Sequence, residues 1–167
     1  MRFSNQVGTQ GNGEIISVIA DSVSRCNITS IELSQGNHLH SHGIAWGSGS
    51  GQQSVTTNSV KNDKSKLHDD IWHPPFHLEL YFKRLQSELG SLWLLKEGFY
   101  AEQCEIGKPI ACGDIIRLEH VDTRKNLHSH LFKAPLSGNQ EVSAFGDEFG
   151  NGDTGDNWEV SLYQFVH

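Results

Sequence analysis

An internal duplication constrains this chain more than any other feature of its sequence. The four residues Leu-His-Ser-His stand at positions 39–42 and return unchanged at positions 127–130. The polar stretches that follow them, 50–56 and 137–143, share the pattern Ser-Gly-x-Gln-x-Val-Ser/Thr. Each copy also has a cysteine and an Ile-x-Leu before it and a tryptophan after it. A duplication of this length indicates one supersecondary unit that is used at least twice around a shared core.

Length and composition favour one domain rich in short strands. The chain has 167 residues, the size of a single domain with a core of its own. Seventeen glycines and only four prolines favour short strands joined by turns. A formal net charge of −7 argues against a nucleic-acid partner, because such binders cluster lysine and arginine. No stretch approaches the ~18 consecutive apolar residues of a membrane span.

Apolar and polar residues alternate over most of both units, as they do in half-buried strands. In the first unit the alternation covers 14–33, and a further strand is expected at 38–42. Period-two geometry puts His40 and His42 on one face of that strand and Leu39 on the other, toward the core. In the second unit we expect strands at 103–105, 110–112, 115–120, 127–132, 140–145 and 158–162.

One stretch has the periodicity of a helix instead. Two prolines at 74–75 are typical of a helix start, and Gly90 is typical of a helix end. The spacing of the apolar residues predicts one helix near 76–89, inside an insertion at 69–90. Its apolar face either packs on the core of this domain or forms a docking surface for another chain. The apolar positions are Leu78, Tyr81, Phe82, Leu85, Leu89 and Leu92.

The three cysteines leave two interpretations open. Cys104 and Cys112 flank a turn signal at 107–109, so a disulfide across a hairpin is geometrically plausible in an oxidising compartment. Alternatively, Cys26 and the other two are small buried hydrophobic residues. The sequence Asn-Ile-Thr at 27–29 is a glycosylation sequon, which has meaning only in a secreted chain.

Several longer stretches resemble one known family. The segment 127–146, with Leu-His-Ser-His and then Pro-Leu-Ser-Gly-Asn-Gln-Glu-Val-Ser-Ala-Phe-Gly, is similar to the MIR domain. The segment 152–158, Gly-Asp-Thr-Gly-Asp-Asn-Trp, is similar to it as well. Within that group, the segments 47–56 and 112–121 resemble the first and second repeats of the stromal cell-derived factor 2-like family.

The resemblance, which covers residues 26–60 and 93–160, implies an all-β fold of the β-trefoil type. In that fold, three repeats of four strands close around a pseudo-threefold axis. Two repeats are recognisable here, so the expected fold is an incomplete β-trefoil-like MIR domain with one inserted helix. We expect a flexible tail over 1–13 and a single domain over 14–167. The two repeats are expected at 14–97, with the insertion, and at 98–162.

The same resemblance implies a binding module of the endoplasmic-reticulum lumen without catalytic activity. Members of the family join a chaperone complex with a J-domain co-chaperone and serve protein quality control. They are also related to accessory domains of O-mannosyltransferases, so a mannose-type glycan-recognition module linked to O-mannosylation is the alternative. No catalytic or dinucleotide-binding motif occurs, which agrees with a non-enzymatic protein without a cofactor. No intact signal peptide or retention signal is visible in the chain.

The histidine pairs at 40/42 and 128/130 are candidate metal ligands, because alternate residues of a strand share a face. We nevertheless expect no metal, since equivalent repeat positions lie far apart and no carboxylate or thiolate stands at regular spacing. The rings are predicted instead to hydrogen-bond turn carbonyls and to hold the hairpins. The acidic loop 147–156 does not meet the EF-hand order and is predicted as a solvated loop.

Polar and aromatic side chains in the repeat loops are the candidates for binding a partner or a sugar. Trp46 offers a stacking surface, and Arg124, Asn139 and Gln140 offer hydrogen-bonding groups. The Gln-x-Trp pattern of trefoil lectins is absent, which counts against sugar binding. The full set of candidate binding residues is His40, His42, Trp46, Arg124, His128, His130, Asn139 and Gln140.

Overall fold

The computed structural model describes residues 2–5, 15–17, 24–33, 37–59, 89–101, 104–134 and 137–161. Over these residues the fold is all-β, as the alternating pattern predicted. Ten strands form one antiparallel sheet, and a short 3-10 helix at Thr154–Asp156 precedes the last strand. Within these residues there is no helix that is long and apolar enough to cross a membrane.

The strands are β1 Arg2–Asn5, β2 Ile15–Ser17, β3 Ile28–Ser30, β4 Asn37–Ala45, β5 Gln53–Ser59, β6 Leu92–Glu97, β7 Ile115–His120, β8 Asn126–Lys133, β9 Gln140–Phe145 and β10 Trp158–Ser161. Along the sheet the order is β2-β1-β10-β7-β8-β9-β5-β4, and β6 joins β7 to β3. Strand β9 of the second unit therefore pairs with β5 of the first. The two copies of the duplicated unit share one continuous sheet.

The two Leu-His-Ser-His strands open equivalent hairpins. Strand β4 pairs with β5 up to Ser41 and resumes at Ala45, with a register shift between them. Strand β8 pairs with β9 up to Ser129 and resumes at Lys133, with its shift at the matching place. Such a bulge bends the strand and re-aims its side chains. Both strands accordingly change from buried to exposed positions at the bulge.

Two tryptophans anchor the core beneath these hairpins. The indole Nε1–H of Trp93 donates to the carbonyl oxygen of Leu39 at 3.1 Å, and that of Trp158 donates to Leu127 at 3.0 Å. All four side chains are buried, so each hairpin is held by its leucine side chain and by its backbone. The other buried aliphatic residues of this core are Ile31, Leu95, Ile110, Ile116, Leu118 and Val160.

The disulfide joins Cys26 to Cys104, so the predicted pairing of Cys104 with Cys112 is wrong. The two bonded cysteines have their Cα atoms 6.1 Å apart and are separated by 78 positions in sequence. The backbone of Arg25 exchanges hydrogen bonds of 3.0 and 3.1 Å with the turn at 107–108. This turn therefore packs against the segment before β3 and carries Cys104 to Cys26. Cys112 is exposed with a free thiol, so the alternative of three buried cysteines is also wrong.

Two further segments differ in the structure from what the sequence predicted. Arg2–Asn5 forms a strand rather than part of a flexible tail, because β10 has an edge with which Phe3 pairs opposite Val160. The segment expected as a strand at 110–112 is a loop. The helix predicted near 76–89 lies outside the described residues except for its last position, so it stays a prediction.

Candidate functional site

The first histidine of each pair is buried and hydrogen-bonded to a polar side chain that is distant in sequence. The Nδ1 atom of His40 lies 2.9 Å from the hydroxyl oxygen of Ser91, which stands 51 positions later. A Cβ atom on Gly90 would overlap the His40 ring and the backbone of Ser41. The Gly90 carbonyl in turn accepts from Nε2 of His120 at 3.2 Å. We call His40, His42, Gly90 and Ser91 the first joint.

The second unit repeats this arrangement with one chemical change. The Nδ1 atom of His128 lies 2.9 Å from Oδ1 of Asp156, where the first joint has a serine. A Cβ atom on Gly155 would overlap the His128 ring, as one on Gly90 would overlap His40. We call His128, His130, Gly155 and Asp156 the second joint. In both joints a glycine lets the imidazole approach the backbone closely.

Asp156 has a second task besides holding the imidazole. Its Oδ2 atom accepts from the backbone N–H of Asp153 at 2.9 Å, and Asp153 accepts from the N–H of Gly155 at 2.7 Å. These two bonds form a capping box around the 3-10 helix. Asp156 is fully buried, and both of its carboxylate oxygens have partners.

The serine and glutamine of the repeated motif make the same pair of hydrogen bonds in each hairpin. The Ser41 hydroxyl donates to the carbonyl of Ser54 at 2.7 Å and accepts from Nε2 of Gln53 at 2.8 Å. In the second hairpin, Ser129 donates to a β9 carbonyl at 3.1 Å and accepts from Gln140 at 2.7 Å. Gln140 was predicted as a binding residue, and the structure uses its amide inside the hairpin.

The second histidine of each pair stacks edge-on against the first. The Nε2 atoms of His40 and His42 are 2.7 Å apart, with the ring planes at 88°. The rings of His128 and His130 have centroids 5.0 Å apart, and Nε2 of His130 lies 3.3 Å from Oε1 of the buried Glu141. The predicted same-face arrangement is therefore present. The predicted turn carbonyls are not the partners of these four rings, because side chains take that place.

Burial shifts the pKa of one group in each joint, His40 in the first and Asp156 in the second. Burial, together with the smaller effect of the neighbouring rings of His42 and His120, lowers the pKa of His40 to about 4. Burial also lowers the pKa of His120. It raises the pKa of Asp156, although the hydrogen bond from His128 acts in the opposite direction. At neutral pH His40 is therefore an uncharged ring with one N–H donor and one acceptor nitrogen.

One group of three potential metal ligands lies close together within the described ranges. Ligand atoms of His128, Asp153 and Asp156 are all within 4.8 Å of one another. Each of these atoms already has a protein hydrogen-bond partner in the capping box or the joint. The first joint does the same work with Ser91, which is a poor metal ligand. The group is therefore best explained as a structural joint.

The remaining candidate binding residues occupy separate places. Trp46 is half-buried before β5, and its indole N–H is buried without a hydrogen-bond partner. Arg124 lies in the turn before β8, where its Nε is 2.7 Å from the buried carboxylate of Glu119. Asn139 is exposed in the turn before β9. No hydrogen bond, ion pair or ring contact joins Trp46, Arg124 and Asn139 in the described structure.

The glycine and its polar neighbour in each joint escaped the sequence analysis. A signal for them exists, because the aligned tryptophans extend backwards to a shared pattern Gly-Ser/Asp-x-Trp. It reads Gly90-Ser91 before one tryptophan and Gly155-Asp156 before the other. An alignment of the two copies on their tryptophans, extended three residues toward the N-terminus, identifies all four positions.

The comparisons with known proteins agree with this architecture. No family model matches the chain. Human stromal cell-derived factor 2 is 47% identical over 122 residues, which cover 73% of this chain and 45% of that protein. The Dictyostelium discoideum stromal cell-derived factor 2-like protein is 42% identical over 125 residues, covering 73% of this chain and 46% of that protein. The chain thus spans less than half the length of these curated relatives.

Solved structures give the same result. The crystal structure of the SDF2-like protein from Arabidopsis thaliana matches with a TM-score of 0.60 at 33% identity, covering 86% of this chain and 65% of that one. The S. cerevisiae protein O-mannosyltransferase Pmt1-Pmt2 complex bound to the sugar donor matches with a TM-score of 0.60 at 27% identity. That match covers 90% of this chain and 17% of the other.

A duplicated hairpin held by tryptophan and histidine joints, in a sheet that matches these structures, defines an all-β, trefoil-like protein with MIR-type repeats. More narrowly, the chain belongs to the stromal cell-derived factor 2-like family. The resemblance inferred from the sequence motifs is thereby confirmed.

Proposed function

We propose that this protein is a non-enzymatic adaptor in endoplasmic-reticulum protein folding and quality control, and that it works within a chaperone complex. The observation that carries the proposal is the use of its reactive side chains. The imidazoles of both joints are hydrogen-bonded or stacked within the fold, and the most buried carboxylates are tied to protein partners. The histidines and carboxylates that could in principle serve catalysis or metal binding therefore stabilise the fold instead.

The disulfide supports the proposed compartment. Disulfides persist in oxidising environments such as the endoplasmic-reticulum lumen, and they are rare in the cytosol. The Cys26–Cys104 bond closes a long loop and ties the segment before β3 to the turn after β6. Arg25, next to it, is buried and forms ion pairs with Glu97 and Asp114. A bond placed in such a packed corner is structural and fits a luminal protein.

The hairpin tips offer a surface for a protein partner. Ile44 of β4 and Phe132 of β8 hold equivalent repeat positions and are 66% and 57% exposed. Leu131 beside Phe132 is 77% exposed. Contiguous exposed apolar side chains, such as the adjacent Leu131 and Phe132, are typical of interaction surfaces. We assign these three residues, the hairpin-tip surface, to a J-domain co-chaperone and through it to the chaperone.

Affinity purification tests the adaptor proposal. The tagged full-length protein is recovered from its own cells, and bound proteins are identified by mass spectrometry. We expect a J-domain co-chaperone and its chaperone with the unaltered protein, and a large loss of both with Leu131→Ser/Phe132→Ser. The matched control is Ile106→Ser, because Ile106 is 85% exposed on a turn elsewhere. Retention of both partners by the double variant removes the hairpin-tip surface, and their absence from the unaltered protein removes the adaptor role.

A second candidate is a mannose-type glycan-recognition module. It is favoured by the structural likeness to the mannosyltransferase complex bound to the sugar donor. Trp46 and the exposed Asn139 would supply a stacking surface and hydrogen bonds. A glycan array tests this proposal directly. Binding that free mannose competes away, and that Trp46→Ala weakens, supports it, whereas a silent array removes it.

A further inference from the structure

The turn that leads into strand β3 displays a modification sequence. Asn27-Ile28-Thr29 is the single Asn-x-Ser/Thr sequence among the 167 residues. Asn27 is exposed, and Ile28 is 58% exposed beside it. Sequons of this type carry N-linked oligosaccharides when they lie on the surface of proteins of the secretory pathway. The fold therefore places Asn27 on the surface, as this modification requires.

The local contacts of Asn27 leave room for a substituent on its amide. Its backbone carbonyl accepts from the N–H of Leu95 at 3.1 Å, which fixes the main chain against β6. Its side-chain amide donates to the hydroxyl of Ser24. A primary amide has two N–H bonds, and a glycosylated amide keeps one. The folded turn can therefore retain the bond to Ser24 after modification.

The residue before Asn27 indicates the compartment in which the chain folds. Cys26 immediately precedes the sequon and forms the disulfide with Cys104, and such bonds form and persist in oxidising compartments. The inference rests in this respect on the luminal location in the proposed function. It does not depend on which protein partner the adaptor binds.

We propose that Asn27 carries an N-linked oligosaccharide. The donor is an oligosaccharide joined through a diphosphate to a lipid, acted on by a luminal transferase. The amide nitrogen of Asn27 forms a bond to the anomeric carbon of the sugar, while the bond from that carbon to the diphosphate oxygen breaks. The lipid diphosphate leaves, and the amide proton passes to a base of the transferase. No oxidant or reductant is required.

A glycan at this position would also protect the edge of the sheet. Among the described strands, β3 pairs with β6 alone, which leaves its other side without a strand partner. The exposed Ile28 lies on this strand, and an open apolar edge invites pairing between chains. A bulky hydrated sugar on the preceding residue would hinder such pairing. Loss of the sugar should therefore increase self-association at high concentration.

The disulfide sets an order of events. Cys26 has a φ of 62°, a left-handed conformation that a non-glycine residue adopts at a cost, and it is bonded to Cys104 in this conformation. A transferase needs the sequon in an extended, accessible chain. Modification should therefore precede closure of the disulfide. Removing the disulfide partner, as in Cys104→Ser, should raise the glycosylated fraction or leave it complete.

The test uses the full-length chain produced in its own cells. Peptide N-glycosidase treatment is followed by gel mobility and by mass spectrometry of the peptide that contains Asn27, because the enzyme converts a glycosylated asparagine to aspartate. Asn27→Gln and Thr29→Ala should both abolish the mobility shift. Thr29→Ser is the matched control, since it preserves the sequon and should preserve the shift. Differential alkylation reports the state of Cys26 and Cys104 in the same samples.

Each outcome decides the proposal. A shift together with aspartate at position 27 supports it, and Thr29→Ser retaining the shift confirms that the sequon is read. A closed disulfide with unmodified Asn27 overturns the glycosylation and leaves the compartment standing. Free thiols at both Cys26 and Cys104 with unmodified Asn27 overturn the glycosylation and the luminal location together. Co-purification of the J-domain partner is scored separately, so failure of the adaptor role is distinguishable.

Discussion

The Nδ1 atom of His128 lies 2.9 Å from Oδ1 of Asp156, and the hydrogen bond between them is buried. In the first unit His40 makes a bond of the same length to Ser91. The two units thus use a carboxyl group and a hydroxyl group for the same purpose. Both copies of the duplicated unit therefore share a joint of an imidazole, a glycine and a polar partner.

Removing the carboxylate of the second joint should be costly. Asp156→Ala leaves His128 without its partner and opens the capping box, so we expect a loss of about 1–3 kcal/mol in the free energy of unfolding. Urea unfolding followed by tryptophan fluorescence measures this loss. Glu148→Ala in the same loop is the control, because Glu148 is exposed and should change stability by less than about 0.5 kcal/mol. Equal stability of the two variants would contradict a joint at Asp156.

The glycines of the joints should tolerate no side chain. Gly90→Ala places a methyl group where the His40 ring lies, and overpacking of this kind costs about 1–3 kcal/mol. Gly47→Ala is the matched control, since a Cβ there meets nothing within 4 Å. The loss should shrink in a His40→Ala background, which removes the clashing ring. An undiminished loss in that double variant would place the cost in the backbone instead.

Acid should weaken the first joint. The pKa of His40 is about 4 in the folded chain, below its ordinary value of 6.5, so the unfolded chain binds the proton more tightly. Stability is therefore complete above about pH 6.5 and falls as the pH drops toward about 4. We expect a loss of about 1–2 kcal/mol, less than the full shift corresponds to, because solvent screens part of it.

Urea unfolding between about pH 7 and about pH 4.5 measures the effect on His40. His40→Asn should flatten the dependence. The raised pKa of Asp156 has the opposite sign, since a folded state that holds a proton more tightly gains stability as the pH falls. The difference between the unaltered protein and His40→Asn isolates the imidazole. A parallel pH dependence in both proteins would contradict the assignment.

The disulfide should contribute more to stability than any single hydrogen bond. Cys26→Ser/Cys104→Ser opens a loop of 78 positions, and loops of this size correspond to a loss of about 3–5 kcal/mol. Thermal unfolding with and without reductant measures it. Cys112→Ser is the control, because its exposed thiol should matter by less than about 0.5 kcal/mol. A Cys112→Ser variant as unstable as the double variant would refute the pairing.

The group of His128, Asp153 and Asp156 should bind no metal ion. All three candidate ligand atoms of His128, Asp153 and Asp156 already have protein partners, so we expect no stoichiometric zinc in the purified protein. Added Zn²⁺ or Ca²⁺ should not raise the unfolding temperature. A saturable rise that Asp156→Asn abolishes would show that the site is a metal centre after all.

Strand positions were accessible from the sequence because their signal is local. Alternation placed Leu39 and Leu127 toward the core and put each histidine pair on one face, and the structure agrees. The bonding partners of those histidines were not accessible. Ser91 stands 51 positions after His40, and no local rule links them. The hydrogen bond from the Gln140 amide to Ser129 inside its own hairpin was not predicted either, and the binding role of Gln140 stays a prediction.

By itself, the sequence determined that the chain is built from a duplicated β unit and that Leu39 and Leu127 face the core. These facts follow from repetition and from a two-residue period, both of which are visible along the chain. Only the tertiary structure decided that Cys104 meets Cys26 and that Gly90 and Gly155 face imidazole rings. Such contacts depend on which strands become neighbours in the sheet. That choice minimises the free energy of the whole core, and no short segment encodes it.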